Sequence, residues 1–103
     1  MTLYNKLVRD KIPEIIAATG KTCQTRILSR EEYIAKLDEK LSEELAEYQE
    51  SRDLEELADL LEVMEAVVTA WVYTWQQMQD VKAEKKAARG GFQDKLLLLE
   101  VSE

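Results

Sequence analysis

The sequence predicts an all-α protein: an antiparallel helical bundle completed by oligomerisation, with short extended segments at the N- and C-termini. Three observations carry this. Only three glycines and one proline occur in 103 residues, which favours long helices over a many-turned sheet. Helix-start signals stand at Ser29 and Asp53. Apolar residues then recur at heptad spacing through both segments that follow.

The elements follow in order. Met1 to Asp10 mixes charged and apolar residues without a clear period. Pro13 fits the first turn of a short helix that Gly20 ends. Thr22 to Leu28 alternates weakly, as a short strand or an extended arm would. Ser29 and Glu32 form a capping box, S-x-x-E, so a helix starts there and runs to about Gln49. Asp53 with Glu56 repeats the signal in acidic form after a very short turn at Ser51-Arg52, which makes the two helices antiparallel neighbours. The second helix meets no Gly or Pro until Gly90-Gly91, so it spans roughly 55 Å if unbroken at about 1.5 Å per residue, with Gln79 as a candidate point for a bend. Phe92 to Val101 holds four consecutive leucines, Leu96 to Leu99, which fits a tail or strand packed on a neighbour, since such a run is adhesive when exposed.

Ala66 to Gln79 is apolar around most of the helix, whereas a surface helix shows a polar face. One domain of 103 residues covers such a helix poorly by itself. Burial by a second copy, with Trp71, Tyr73 and Trp75 as anchors, is the expectation, against packing within one subunit.

Composition narrows the function. Hydrophobic residues at 46% and charged residues at 34% describe a folded chain rather than a disordered one. Fourteen basic against 21 acidic residues give a net charge of -7, so nucleic acid is not an expected partner by bulk attraction. The longest uncharged run, Ala66 to Gln79, is 14 residues, below the roughly 20 needed to span a bilayer. No membrane association is expected. Lys6, Arg9, Asp10 and Lys11 interrupt any signal-like apolar stretch, and the single Cys23 suits a reducing compartment. A cytoplasmic location follows as an expectation. The absence of histidine removes histidine-ligated zinc and the commonest general base.

The residues that bear chemistry are acidic. Ile34, Leu37, Leu41 and Tyr48 share one seam of the first long helix, and the seam position between Leu41 and Tyr48 is Glu44. A carboxylate buried there without a partner is costly. Glu47 lies one turn on. The second helix carries two apolar rows, Leu54, Leu57, Leu61, Met64, Val68, Trp71, Trp75 and Met78 in one, Leu60, Val63, Val67 and Ala70 in the other. An acidic stripe of Glu55, Glu56, Asp59 and Glu62 runs between them. The short turn sets Glu44 and Glu47 opposite Glu56 and Asp59. Such a set repels itself unless a divalent cation intervenes, and ligands that are all oxygen favour magnesium or manganese. The bland alternative is a solvated acidic face, with Glu56 serving the helix dipole.

Lys40-Leu41-Ser42-Glu43-Glu44-Leu45-Ala46-Glu47, followed by Glu56-Leu57-Ala58-Asp59, resembles the E-E-x-x-E…E-x-x-D signature of the MazG-like all-α nucleoside triphosphate pyrophosphohydrolases. Tyr4 to Ile16, reading Y-N-K-L-V-R-D-K-I-P-E-I-I, and Arg89-Gly90-Gly91-Phe92 are similar to the opening and closing motifs of a phosphoribosyl-ATP pyrophosphohydrolase-like subgroup. The resemblance covers nearly the whole chain as a single domain, residues 1–103. It implies hydrolysis of a nucleotide between its α- and β-phosphates, giving a monophosphate and pyrophosphate, by a homodimer or homotetramer. It implies Glu44, Glu47, Glu56 and Asp59 as magnesium ligands, and Glu43 as a residue that orients or assists the attacking water beside Glu44.

A nucleotide also needs cations, because its phosphates bring more charge than the metals remove. Lys85 and Arg89 share a helical face with Lys82 and Lys86. That cluster reads either as cations placed for the helix dipole or as a phosphate clamp. Lys6 and Arg9 form a second candidate cluster, and Lys40 a third. The alternative to the whole reading is a non-catalytic helical oligomerisation or nucleotide-binding module, for which the apolar seams suffice.

Overall fold

The computed structural model describes residues 2–102, so the outermost residues of the expected 1–103 domain lie outside it. It contains four helices, α1 (Ile12–Ala18), α2 (Arg30–Ser51), α3 (Leu54–Ala70) and α4 (Trp75–Arg89), and no strand among the described residues. The all-α class is thus observed.

Helix α1 starts with Pro13 in its first turn and gives way to Gly20 at φ +84°. This is the proline-first, glycine-after asymmetry expected of a short helix. Residues 21–29 form an extended arm rather than a strand. Their weak alternation has no partner edge to pair with, because every other element is helical.

Helix α2 opens on the full capping box. The Ser29 hydroxyl accepts from the Glu32 amide, and the Glu32 carboxylate accepts from the Ser29 amide. Arg26 adds a two-pronged ion pair to the same carboxylate, at 3.0 and 2.8 Å. That guanidinium first, and the Ser29 amide second, hold the Glu32 carboxyl down at about 2.

The α2–α3 hairpin is pinned at both ends. At the turn, Arg52 takes the left-handed conformation at φ +64°, donates its amide to the Tyr48 carbonyl at 2.7 Å, and lays its guanidinium 5.7 Å from the Tyr48 ring. Asp53 occupies the start position of α3 as expected, but its side chain makes no capping bond. The Asp53 amide instead donates to the Ser51 hydroxyl at 3.2 Å. At the far end, Arg30 donates to the Ala70 carbonyl at 3.2 Å and sits 5.6 Å from the Trp71 ring centroid. The first residue of α2 thereby closes the last turn of α3.

The long second helix of the sequence reading is two helices. The break lies at residues 71–74, not near Gln79. Val72 adopts φ +66°, and Thr74 restarts the chain with its own capping box, exchanging bonds with Gln77. The signal T-x-x-Q was present in the sequence, masked by the apolar run around it.

Packing is thin. Only Leu37 and Val63 are buried apolar residues among those described. The row of α3 that meets α2 is Leu60, Val63 and Val67, while Leu54, Leu57 and Leu61 of the other row are exposed. Helix α4 has no buried residue and meets α3 sparingly. The radius of gyration is 18.5 Å, against about 13 Å for a compact chain of this length. Residues 95–101 form no strand, and Leu96 to Leu99 are each at least 79% exposed.

Candidate acidic metal site

The site sits near the turn of the α2–α3 hairpin. Because Arg52 and Asp53 alone join the helices, the last turns of α2 stand beside the first turns of α3. Glu44 faces the seam and is only 7% exposed, the one buried charged residue described. Glu56 and Asp59 face it from α3, half-buried. One carboxylate oxygen from each of the three lies within 4.8 Å of the others. Glu47 is exposed and outside this group of three, but its carboxylate is close enough to influence both Glu44 and Glu56.

The electrostatics are those of crowded acids. Burial first, then hydrogen bonding and repulsion from Glu47, raise the Glu44 carboxyl above its ordinary value, with Lys40 pulling the other way. Burial also leads in raising Glu56, followed by the charges of Glu47 and Asp59. Glu44 Oε2 and Glu56 Oε2 are both buried without a hydrogen-bond partner. Orphaned buried carboxylate oxygens are uncommon in folded proteins and point to an absent partner.

Cations partly offset this charge. Lys40 lies 3.7 Å from Glu44 Oε1 and 3.9 Å from Glu43. Lys6 reaches Glu43 at 3.1 Å, and Arg9 reaches Asp59 at 2.7 Å. Glu43, Glu44, Glu47, Glu56 and Asp59 are five carboxylates against three cations, so the cluster keeps a net negative charge. The donor set is oxygen only, which suits a hard cation; three convergent carboxylates with two unpartnered buried oxygens fit such an ion on chemical grounds.

Beside the cluster runs an open cleft of about 430 Å³. Arm residues Leu7 to Asp10 form one wall, with Tyr33, Lys40 and Glu44 of α2 and Asp59, Glu62 and Thr69 of α3 opposite. Neither Tyr33 nor Thr69 stood out in the sequence. Their place beside the acids depends on helix phase and on a long-range arm contact that no local pattern encodes.

The sequence candidates therefore divide. Glu43, Glu44, Glu47, Glu56, Asp59, Lys40, Lys6 and Arg9 come together. Lys85 and Arg89 do not. Both are exposed near the end of α4, and among the described residues neither makes a hydrogen bond or ion pair with the acids. The reason is the break at 71–74, after which α4 leaves the hairpin. No helix among the described residues is long and apolar enough to cross a membrane.

No protein-family model matches the chain, and no solved structure matches it. A stretch of 42 residues is 60% identical to part of an uncharacterised protein of Mycolicibacterium smegmatis, covering 41% of this chain and 43% of that protein. The match thus spans less than half of that relative's length.

Proposed function

We propose that the protein is a magnesium-dependent nucleotide pyrophosphohydrolase of the MazG-like type, cleaving a nucleoside triphosphate or related nucleotide between its α- and β-phosphates. The observation that carries this reading is the convergence of Glu44, Glu56 and Asp59 from two helices, with buried oxygens on Glu44 and Glu56 left without partners. These residues, with Glu47, would hold magnesium, or manganese in its stead. When bound, such an ion supplies positive charge to a phosphoryl oxygen and acidifies a water.

The chain's own groups supply the rest. Glu43 lies beside the cluster on α2 and is held by Lys6 and Lys40. In this reading it orients the attacking water and accepts its proton. The water oxygen bonds to the α-phosphorus, the bond from that phosphorus to the bridging oxygen breaks, and pyrophosphate leaves. Lys40, Lys6 and Arg9 are the cations near enough to meet phosphate oxygens. Lys85 and Arg89 take part only if a second copy brings its α4 to the cleft. Self-association into a homodimer or homotetramer belongs to the reading, supported by the exposure of Leu54, Leu57, Leu61 and Trp71.

The test is a panel of nucleotides with magnesium, following monophosphate and pyrophosphate. Glu44→Ala and Asp59→Ala should each abolish product while far-UV circular dichroism stays helical. Full activity in both variants would defeat the assignment. A second reading, a helical oligomerisation or nucleotide-binding module without turnover, is favoured by the thin core and open apolar row of α3. Magnesium-linked thermal stabilisation by nucleotide with no product formed selects it.

A further inference from the structure

We infer that the N-terminal arm is a cationic strap on the acidic site. Lys6 and Arg9 hold Glu43 and Asp59 in the metal-free protein, yield to a divalent cation, and then pass to the phosphate chain of the ligand. The inference rests on the metal-site reading above and adds an order of events to it.

The geometry points to exchange rather than permanent docking. Arg9 and Asp59 are 50 residues apart in sequence, and their side chains meet at 2.7 Å. Asp59 is also one of the three residues whose oxygens converge. A dication bound there competes with the guanidinium for the Asp59 carboxylate, so the ion pair weakens. Lys6 pairs with Glu43, which lies outside the converging three but directly precedes Glu44 in the chain.

Little else anchors the arm. Residues 2–9 form no helix or strand, and of them only Leu7 is partly buried. Among the described residues, Lys36 Nζ donates to the Asn5 carbonyl at a long 3.4 Å, and the Ile12 amide to the Arg9 carbonyl at 3.1 Å. Asn5 itself sits at φ +48°, a left-handed conformation that asparagine adopts more readily than most residues. Both ion pairs are solvent-accessible, with Arg9 57% and Lys6 56% exposed, so they open readily.

The strap also stops short. The orphaned oxygens of Glu44 and Glu56 are reached by neither Lys6 nor Arg9. The arm covers the outer acids, and the inner pair is left for a small ion. Leu7 and Val8 also line the cleft, so the displaced side chains of Lys6 and Arg9 stay beside it, where a phosphate chain on the metal would meet them.

Calorimetric titration of the full chain tests this with manganese alone, and then with inorganic pyrophosphate added to manganese-loaded protein. The double variant Lys6→Gln/Arg9→Gln should bind manganese about two- to fivefold more tightly than wild type, the scale of exposed ion pairs. It should bind pyrophosphate at least about threefold more weakly. Lys21→Gln, which removes one positive charge beyond α1, sets the effect of bulk charge. Unchanged or weaker manganese binding in the double variant, or equal tightening in Lys21→Gln, overturns the strap. Tighter manganese with unaltered pyrophosphate binding overturns the transfer to phosphate. Absence of manganese binding in every protein overturns the metal site itself, and the strap with it.

Discussion

Glu44 of α2 and Glu56 of α3 approach from opposite sides of the hairpin seam, each with one carboxylate oxygen sealed from water and unbonded. With Asp59 they bring ligand atoms within 4.8 Å of one another. Such an arrangement weakens the fold unless something binds it.

The first expectation concerns stability without metal. Glu44→Leu continues the apolar seam of Leu37 and Leu41 through a site that is otherwise an unmet buried acid. Urea denaturation in chelator should show this variant more stable than wild type by about 1–3 kcal/mol, the cost of one unsatisfied buried polar group. Magnesium should stabilise wild type and leave the variant unmoved. A destabilised variant in chelator would show that the carboxylate is already satisfied.

The pH profile should separate two classes of glutamate. Glu44 and Glu56 have carboxyls raised above the ordinary 4.5. The folded state then holds protons that the unfolded state releases, so metal-free stability declines as pH rises from about 4.5 through the raised values. Glu32, lowered to about 2, acts in reverse: its contribution is complete above about 4.5 and is lost as pH falls toward 2. Denaturation midpoints between pH 3 and 8 should therefore fall on the alkaline side in chelator. If magnesium binds the deprotonated acids as proposed, that fall should flatten in its presence. A midpoint rising steadily from pH 4.5 to 7 without metal contradicts the first part.

Glu43 and Glu47 are both polar-face neighbours of Glu44, yet distinct roles are expected of them. Glu47→Gln should raise the magnesium concentration needed for half-maximal activity. Glu43→Gln should leave that concentration nearly unchanged and lower kcat by about 10²- to 10⁴-fold, the range for a lost proton acceptor. Magnesium titrations of initial rate for the two variants make the comparison; identical behaviour would remove the distinction.

The break between α3 and α4 makes a prediction independent of chemistry. Val72 is β-branched, 80% exposed and held at φ +66°, so Val72→Gly should add roughly 1 kcal/mol of stability by relieving the left-handed conformation. Thr74→Ala removes the cap of α4 and should cost about 1 kcal/mol. Manganese affinity should not change in either, because the site lies toward the other end of the hairpin. Chemical denaturation and calorimetry check both halves.

Much of this was legible in the residues, for local reasons. The Ser29–Glu32 box fixes where α2 starts because both partners lie within one turn. Glu44 announced itself because a charge stood where heptad spacing called for an apolar residue. The Thr74–Gln77 box was equally local, but it lay inside an apolar run that reads as continuous helix unless capping is weighed against hydropathy. What could not be read were contacts with no period: Arg9 on Asp59, Arg30 on the Ala70 carbonyl, and the departure of Lys85 and Arg89 from the acids. Each depends on where a flexible arm or a restarted helix travels, and spacing does not encode that.

The two-residue link at Arg52 and Asp53 also sets the rotational phase of α3 against α2. One extra residue there, if taken into the first turn of α3, would turn the rest of that helix by about 100° about its axis. Glu56 and Asp59 would swing away from Glu44 while both helices kept their internal bonds. Loop length at this point is thus under a tighter constraint than loop sequence, since the chain could lose its acidic cluster through a single insertion that no measure of helix content would detect.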